Sequence, residues 1–561
     1  MSTETAAPVQ MVNVQIDGVW LQFPKGTRLI EACSQAQKFI PRYCYHPKLS
    51  SPGNCRMCLI EMGMPKMGPD RKPIMGADGK PEIAWIPRPQ ISCAQDVAEG
   101  MGVRTDSQMV QECRQGVMEF LLINHPLDCP ICDQAGECRL QEFSVEYGNA
   151  KSRFLEHKVK KPKAVELGPR VTLDAERCVL CSRCIRFMKE VANDDVLGFT
   201  DRGSFSTIAC HPQRTLDSNY SLNTVDICPV GALTNTDFRF KMRVWFLKET
   251  KTIDVNDGLG CNITIGAREN TIYRITPREN NDVNSFWIPD SHRLNFKYLN
   301  RADRLITPQI RGFLGEGTPT WPQAIAIAGE QLKRHSSDAI AMIASARMTN
   351  EELFLASRLA AALGIEKQHD IVPRIGEPDG ILIPEDRNPN TSGAKLLGLC
   401  ESKPGSRLSR IVEGIRSGTT KALICLGEDA TKAGLTEEDL AKLDVLIVTD
   451  ILPNKTTHHA TVLLPASGWA EKRGSMINFK GRLQRLNRAI DAPGDAHDDW
   501  EILRDLIQAV SGSNGLYAIE DVFKAMAAEV PEFAGLSLSK IGDLGVQLLN
   551  VATPEAVPAA S

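Results

Sequence analysis

Residues 125–138 read HPLDCPICDQAGEC, and this stretch does most to decide what the chain folds around. It sets His125, Cys129, Cys132 and Cys138 at the spacing H-x3-C-x2-C-x5-C. Four soft or borderline metal donors at this spacing are too crowded to form disulfides in pairs. Cubane iron–sulfur clusters normally take four thiolates, and an imidazole in place of one thiolate changes the cluster charge and therefore its potential. The stretch predicts a 4Fe–4S cluster with one histidine ligand; the alternative for His125 is a helix-terminal histidine bonded to a backbone carbonyl.

A second group of cysteines precedes this stretch. Cys44, Cys55, Cys58 and Cys93 follow the spacing C-x10-C-x2-C-x34-C. Three cysteines close together and one distant cysteine are the general pattern of plant-type two-iron ferredoxins, although the familiar first gap is shorter. We predict a 2Fe–2S cluster here, with a zinc site as the alternative.

A third group follows it. Cys178, Cys181 and Cys184 are spaced C-x2-C-x2-C, and Cys228 stands before Pro229 further along the chain. Three such cysteines fit three corners of a cubane, and a remote Cys-Pro supplies the fourth, as in bacterial ferredoxins. We predict a second 4Fe–4S cluster, again with zinc as the alternative. Three sets in succession indicate a path for electrons rather than one structural metal.

The composition argues against a nucleic-acid-binding protein and against a membrane-spanning one. The chain has 561 residues and a net charge of −4, which gives no support for nucleic-acid binding. No apolar run is long enough to span a bilayer, and residues 1–10 lack the features of a secretory signal. Of the 17 cysteines, 11 belong to the three sets. The other six are predicted to be small buried apolar residues: Cys33, Cys113, Cys210, Cys261, Cys400 and Cys425.

Periodicity predicts the elements around these sets. Residues 11–23 alternate apolar and polar residues about Asp17-Gly18, which predicts a hairpin, and Thr27 is placed to cap the helix that follows. Residues 63–90 have the composition of a surface insertion, and residues 106–124 that of a helix capped by Asp106 or Ser107. After about residue 300, the runs AIAMIAS, ALICLG, VLIVTD and TVLLPA alternate with helical patterns, which predicts a parallel-sheet α/β fold.

These patterns predict a multidomain α+β and α/β protein. The segments expected are a β-grasp 2Fe–2S ferredoxin domain (11–98), a His/Cys-ligated 4Fe–4S domain (99–160), a ferredoxin-like Cys-ligated 4Fe–4S domain (161–245), a small linker domain without a cluster (246–300), an α/β domain (301–510) and a C-terminal extension and tail (511–561). No G-x-G-x-x-G and no G-x4-G-K-[ST] is present, so no nucleotide site is signalled.

The cysteine motifs carry a family resemblance. The stretches CRMCLIEM, VMEFLLINHPLDCPICDQAGEC, CVLCSRCIRF and VDICPVGALT resemble the large iron–sulfur subunit of respiratory NADH:quinone oxidoreductase (complex I), the bacterial-type member of the 75 kDa subunit family. TVLLPASGWAEKRGSMINFKGRLQ is similar to the molybdopterin-oxidoreductase-like half of that subunit. Some members carry a further cubane after the third cluster, but between 230 and 300 this chain has only Cys261, so that cluster is expected to be absent.

The resemblance implies a role and a setting. The chain would be an electron-transfer subunit of a proton-translocating oxidoreductase, with no complete active site of its own, no FMN and no molybdopterin. Partners would be a flavin- and NADH-binding subunit and other hydrophilic subunits, and the membrane would be reached only through the complex, peripherally, on the cytoplasmic side of the bacterial inner membrane. The alternatives are a catalytic or diaphorase-type subunit of an NAD-linked formate dehydrogenase or hydrogenase, and a structural zinc protein.

Overall fold

In the computed structural model of the chain, the alternating residues near the N-terminus form the predicted hairpin. Strands β1 (Met11–Ile16) and β2 (Val19–Pro24) pair antiparallel around Asp17-Gly18. Val12, Val14 and Ile16 point into the core because strand residues alternate between faces. The structure describes residues 10–512 and 515–550, and the chain divides after Trp245 into two units.

The hairpin belongs to a mixed sheet that carries the first cysteine set. The chain continues through α1 (Leu29–Gln35), β3 (Leu59–Pro65), β4 (Ile83–Trp85), β5 (Gln90–Ile91) and β6 (Met101–Arg104). The sheet order is β2-β1-β6-β3-β4, with β1 parallel to β6 and β5 paired with β3. Two parallel strands at the centre of a mixed sheet, with one helix between them in the chain, form the predicted β-grasp.

One local prediction in this region needs correction, and another gains detail. Thr27 does not cap α1, because its hydroxyl donates to the carbonyl of Pro24 at 2.7 Å and the helix begins at Leu29. The predicted insertion is exposed and leaves the sheet between β3 and β4. The bridges Met67↔Pro73 and Met75↔Pro81 close two short hairpins in succession there and do not extend the β3–β4 pair.

The rest of the first unit has little regular structure. It consists of α2 (Gln108–Leu122), α3 (Arg139–Tyr147), β7 (Val165–Glu166), β8 (Val171–Leu173), α4 (Arg183–Glu190), β9 (Leu197–Thr200), β10 (Thr207–Cys210), α5 (Asn223–Asp226) and β11 (Leu233–Asn235). As predicted, Ser107 caps α2 and accepts a hydrogen bond from the amide of Val110. The long loops between these elements carry the second and third ligand sets.

The second unit begins with a three-stranded antiparallel sheet and a short helix. Its elements are β12 (Lys248–Ile253), β13 (Asn262–Arg268), β14 (Thr271–Pro277) and α6 (Asp290–Arg293). Ile263, Ile265 and Ile275 belong to an apolar core that also includes Trp469 and Leu486 from later in this unit.

The predicted parallel sheet follows. The elements in chain order are β15 (Gln309–Ile310), α7 (Trp321–Lys333), β16 (Ile340–Ala344), α8 (Asn350–Leu363), β17 (His369–Ile371), α9 (Thr391–Leu396), α10 (Leu408–Ser417), β18 (Ala422–Leu426), α11 (Glu437–Ala441), β19 (Val445–Asp450), α12 (Lys455–His458) and β20 (Val462–Pro465). The order is β15-β20-β19-β18-β16-β17, parallel throughout except for β15. Both faces are buried, which accounts for the continuous apolar runs.

The remaining elements complete this unit. They are β21 (Gly474–Ile477), β22 (Arg482–Leu486), α13 (Asp499–Ser511), α14 (Ile519–Glu529) and β23 (Val546–Gln547). A buried ion group fixes them to α8, since Lys472 contacts Glu352 at 2.8 Å and Asp499 at 3.0 Å. Within 10–512 and 515–550, no helix is both long enough and apolar enough to cross a membrane.

The division after Trp245 generates a prediction. All 12 predicted ligand residues lie in the first unit, which has its own sheet and core. A chain ending near residue 245 should therefore bind the same iron and sulfide as the full chain, measured by metal analysis and absorbance. A folded fragment lacking one cluster would show that the second unit contributes to cluster binding.

Candidate metal centres

The first ligand set comes together in the β-grasp domain. Cys44 follows α1, Cys55 and Cys58 precede β3, and Cys93 lies in a single helical turn after β5. The Cys44 side chain lies close to those of Cys55 and Cys93, and the Cys58 side chain lies close to that of Cys93. Four thiols gathered in this way match the donor set that a 2Fe–2S cluster needs.

The second set surrounds one cavity. His125, Cys129, Cys132 and Cys138 line it together with Arg177 and Gly231. His125 follows the end of α2, where Lys158 donates to the carbonyls of Leu122 and Ile123 at 2.8 Å each. Burial, with smaller contributions from the charges of Arg177 and Lys158, lowers the pKa of His125 to about 4. The imidazole is therefore neutral near pH 7, the form that binds a metal.

Gly231 leaves room for this set. A Cβ built on it would lie 2.3 Å from the sulfur of Cys132 and 3.0 Å from the Cβ of Gln134. Gly231 follows Cys228-Pro229-Val230, so the loop that carries the last ligand of the third set also forms a wall of the second cavity. A side chain here would displace the Cys132 sulfur.

The third set lines another cavity. Its walls include all four predicted ligands, Cys178, Cys181, Cys184 and Cys228, and the apolar side chains of Ile208, Val230 and Leu233. Burial raises the pKa of Cys178 and Cys181 to about 12 each, so without metal these groups are neutral thiols. Metal binding is what makes them thiolates.

The loops around the sulfurs have an unusual backbone. Arg56, Leu180 and Ser182 all have positive φ, at 58°, 52° and 60°, although none is glycine. Left-handed residues between ordinary ones turn successive amides toward one point, a geometry that suits iron–sulfur sites. The amide of Leu180 donates to the sulfur of Cys178 at 3.4 Å. Hydrogen bonds of this kind raise a cluster's potential because they stabilise the more negative reduced form.

Two arginines join the first and third sets. Arg183 donates to the carbonyl of Tyr45 at 2.6 Å and to that of Ile227 at 3.0 Å, one residue away from Cys44 and Cys228 respectively. Burial lowers the pKa of Arg183, and the thiols of Cys181, Cys228 and Cys44 oppose that shift, which places the guanidinium among ligands of both sets. Arg186 donates to the carbonyl of Cys44 at 2.5 Å.

The second set adjoins both others. Tyr43 is fully buried, and the thiols of Cys138 and Cys55 both act on its hydroxyl, whose pKa burial raises above its usual range. The amide of Arg139 donates to the carbonyl of Pro229 at 3.1 Å, which joins the residues after Cys138 and Cys228. Each pair of ligand sets is therefore bridged by at least one side chain or loop that contacts both.

Sequence reasoning predicted the ligand sets but missed the residues between them. Arg183 lies inside the motif CVLCSRC, and Tyr43 directly precedes Cys44. Their positions beside cysteines were the available signal, but spacing alone does not reveal which loop a side chain reaches. An ionic group beside the His125 cavity was also missed: the exposed Lys163 contacts Asp128 and Glu176 at 2.7 Å each, and the buried Arg177 contacts Asp174 at 3.2 Å.

Comparisons with known families reproduce the predicted order of cluster domains. The matching family models are described as 2Fe-2S iron-sulfur cluster binding domain (residues 9–108), NADH-ubiquinone oxidoreductase-G iron-sulfur binding region (114–153), NADH-quinone oxidoreductase subunit 3, ferredoxin-like domain (168–234), NADH-ubiquinone oxidoreductase NDSU1/NuoG-like, 4Fe-4S domain (247–297), and molybdopterin oxidoreductase (386–509). The fourth match falls where this chain has one cysteine, Cys261.

Individual relatives agree with these matches. The G-type subunit of the NADH-quinone oxidoreductase of Rickettsia conorii is 30% identical, over 94% of this chain and 92% of the relative. The mitochondrial NADH-ubiquinone oxidoreductase 78 kDa subunit of Candida albicans is 33% identical, over 88% of this chain and 82% of its own length. NADH dehydrogenase [ubiquinone] iron-sulfur protein 1 of Solanum tuberosum is 40% identical, over 64% of this chain and 45% of its own length.

The cavity around His125 yields a prediction about charge. His125→Cys adds a thiolate, so the more negative reduced cluster is disfavoured and the midpoint potential should fall while the iron content stays the same. His125→Ala should leave this cluster labile. The measurement is an EPR-monitored redox titration of the full chain. His157→Cys, at an exposed position, is the matched control; an unchanged spectrum and potential in both His125 variants would make His125 a helix-end residue only.

Gly231 yields a prediction about space. Gly231→Ala should remove the signal of the His125-side cluster, or shift it, because the new methyl group collides with the Cys132 sulfur. Gly116→Ala, whose added Cβ meets no other atom within 4 Å, should leave all cluster signals intact. Low-temperature EPR of the reduced chain compares the two. Full retention of the cluster in Gly231→Ala would show that the 228–233 loop moves freely.

Proposed function

Because the chain belongs to the 75–78 kDa iron–sulfur subunit family of NADH-quinone oxidoreductase, we propose that it relays electrons from a flavin-bearing partner toward quinone. The first unit supplies the electron path, and the chain supplies no complete active site. The observation that carries this proposal is the convergence of three four-donor sets with shared walls in a single unit.

The proposed cluster content follows the donor sets. Cys44, Cys55, Cys58 and Cys93 hold one 2Fe–2S cluster; His125, Cys129, Cys132 and Cys138 hold one 4Fe–4S cluster; Cys178, Cys181, Cys184 and Cys228 hold another. When bound, the clusters accept and donate single electrons. The protein's own contribution is to fix the ligands, to exclude water from Cys181 and Cys184, and to place charged and hydrogen-bonding groups beside the sulfurs.

The gaps between the sets support a relay. Electrons cross short gaps between redox centres, and Arg183, Tyr43 and the Arg139–Pro229 contact each lie between two sets. We propose that electrons enter at the two-iron cluster and pass to the two cubanes. Arg183 favours reduction of the clusters on either side because its positive charge lies among their ligands.

The second unit has a different proposed role. Its α/β domain matches a molybdopterin oxidoreductase model over residues 386–509, but a fold alone does not carry the chemistry of its relatives. We propose that this unit binds no molybdopterin and serves as scaffold and contact surface for other hydrophilic subunits. The chain would lie at the cytoplasmic side of the bacterial inner membrane, attached through those subunits.

Three filled ligand sets would give the chain a defined metal content, and loss of one ligand should break the electron path. The purified full chain should contain about ten iron atoms with matching sulfide, and no molybdenum. In the assembled complex, Cys184→Ser should abolish electron flow to quinone while an artificial acceptor that takes electrons at the flavin partner is still reduced.

The control is Cys113→Ser, a half-buried cysteine of α2 outside the ligand sets, which should leave both activities unchanged. Iron near fourteen atoms per chain, stoichiometric molybdenum, or normal quinone reduction in a Cys184→Ser complex that lacks the third cluster would each refute the proposed path, since ten is roughly the number that the three donor sets hold.

A further inference from the structure

The small domain at the start of the second unit matches a 4Fe–4S family model, yet its donors are the wrong kind for a cubane. A cubane takes four ligands that are mostly thiolates, and within the matched residues 247–297 the chain has only Cys261. Three harder donors gather beside it instead. Asp254 and Asp257 lie in the loop between β12 and β13, and His292 lies in α6.

The three side chains point their donor atoms at one place. Asp254 Oδ2 lies 2.8 Å from His292 Nδ1, and Asp257 Oδ2 lies 3.8 Å from the same nitrogen. All three ligand atoms fall within 4.8 Å of one another. Donors bound to one ion at about 2.0–2.2 Å stand roughly 2.9–3.5 Å apart, so only small side-chain shifts are needed.

One of these atoms lacks a hydrogen-bond partner. Asp257 is 1% exposed, and its Oδ1 accepts from the amide of Leu259 at 2.9 Å. Its Oδ2 is buried, turned toward His292 and has no hydrogen bond. A buried carboxylate oxygen without a partner costs free energy unless something binds it, and two carboxylates so close together repel.

The surroundings hold the donors in place. The second oxygen of Asp254 accepts from Asn256 at 2.5 Å, and Asn295 donates to the side chain of Asn256 at 2.5 Å. The amide of Asp254 donates to the carbonyl of Cys261 at 2.8 Å, which closes the loop. Oriented ligands supported by a second layer of hydrogen bonds are the usual construction of a metal site.

We propose that Asp254, Asp257 and His292 bind one divalent first-row cation, with Mn²⁺ or Zn²⁺ the best match to two carboxylates and an imidazole. Carboxylates suit Mn²⁺ and imidazole suits Zn²⁺, whereas a cluster needs the thiolates that this domain lacks. The ion would take the structural place of a cluster and carry no electrons. The competing state is a metal-free group in which a protonated His292 pairs with both aspartates.

The test uses the oxidised full chain, desalted after treatment with a mild chelator and titrated with Mn²⁺ under EPR. We expect one Mn²⁺ bound per chain and shielded from bulk solvent. Its spin-echo spectrum should show nitrogen modulation from one imidazole. Asp257→Asn and His292→Gln should each weaken binding by about tenfold or more, and His292→Gln should remove the nitrogen modulation. Glu269→Gln, at an exposed carboxylate of the same domain, should bind as the unaltered chain does.

Three results would overturn the site: no bound Mn²⁺ in the unaltered chain, bound Mn²⁺ without nitrogen modulation, or variants that bind Mn²⁺ as tightly as the unaltered chain does. If the variants fail to fold, as judged by cluster absorbance and circular dichroism, the stoichiometry and spin-echo spectrum of the unaltered chain decide the question. None of these results depends on electron transfer, so they test the site independently of the proposed function.

Discussion

The first unit depends on one constraint: four thiol or imidazole donors must converge at each of three predicted cluster sites. Between residues 107 and 245 the longest helix, α2, has 15 residues, whereas α3, α4 and α5 are shorter and the strands have only two to four residues. The ligand loops also include left-handed residues at Arg56, Leu180 and Ser182, each of which costs about 1–2 kcal/mol. With the proposed clusters bound, metal–sulfur bonds would offset this cost, and ligand geometry would shape these loops.

Charge compensation is the second requirement of such a unit. The three proposed clusters would concentrate negative charge within this unit, and buried charges need partners. Arg183 and Arg186 supply positive charge between the first and third sets, and Arg177 supplies it beside His125. The neutral imidazole of His125 reduces the charge that must be balanced there. The guanidiniums that join the loops therefore also act on the electrons that the clusters carry.

Sequence spacing predicted the parts of this protein in which chemistry dictates the residue type. The ligand motifs are recognisable in the sequence because thiolates cannot be replaced at a cluster. The parallel strands β16, β18, β19 and β20 are recognisable because strands buried on both faces must be apolar throughout. The two short hairpins between β3 and β4 were not predicted because their pairing depends on register rather than composition. Arg183, Tyr43 and Asp257 were hidden for a related reason, since their roles arise from loops that meet only in the folded chain.

The walls that the ligand sets share bear on how the cell makes this protein. A loop such as 228–233 cannot settle around Cys228 without also shaping the pocket beside Cys132, because Gly231 lies against that sulfur. Arg183 likewise cannot reach the carbonyl of Tyr45 until the loop that carries Cys44 and Tyr45 has closed. On the proposed assignment, insertion of one cluster would prepare the pocket of the next, and iron delivery would be a cooperative step of biogenesis. Under iron starvation the newly synthesised chains should divide into fully loaded and empty populations, with few partly loaded forms between them.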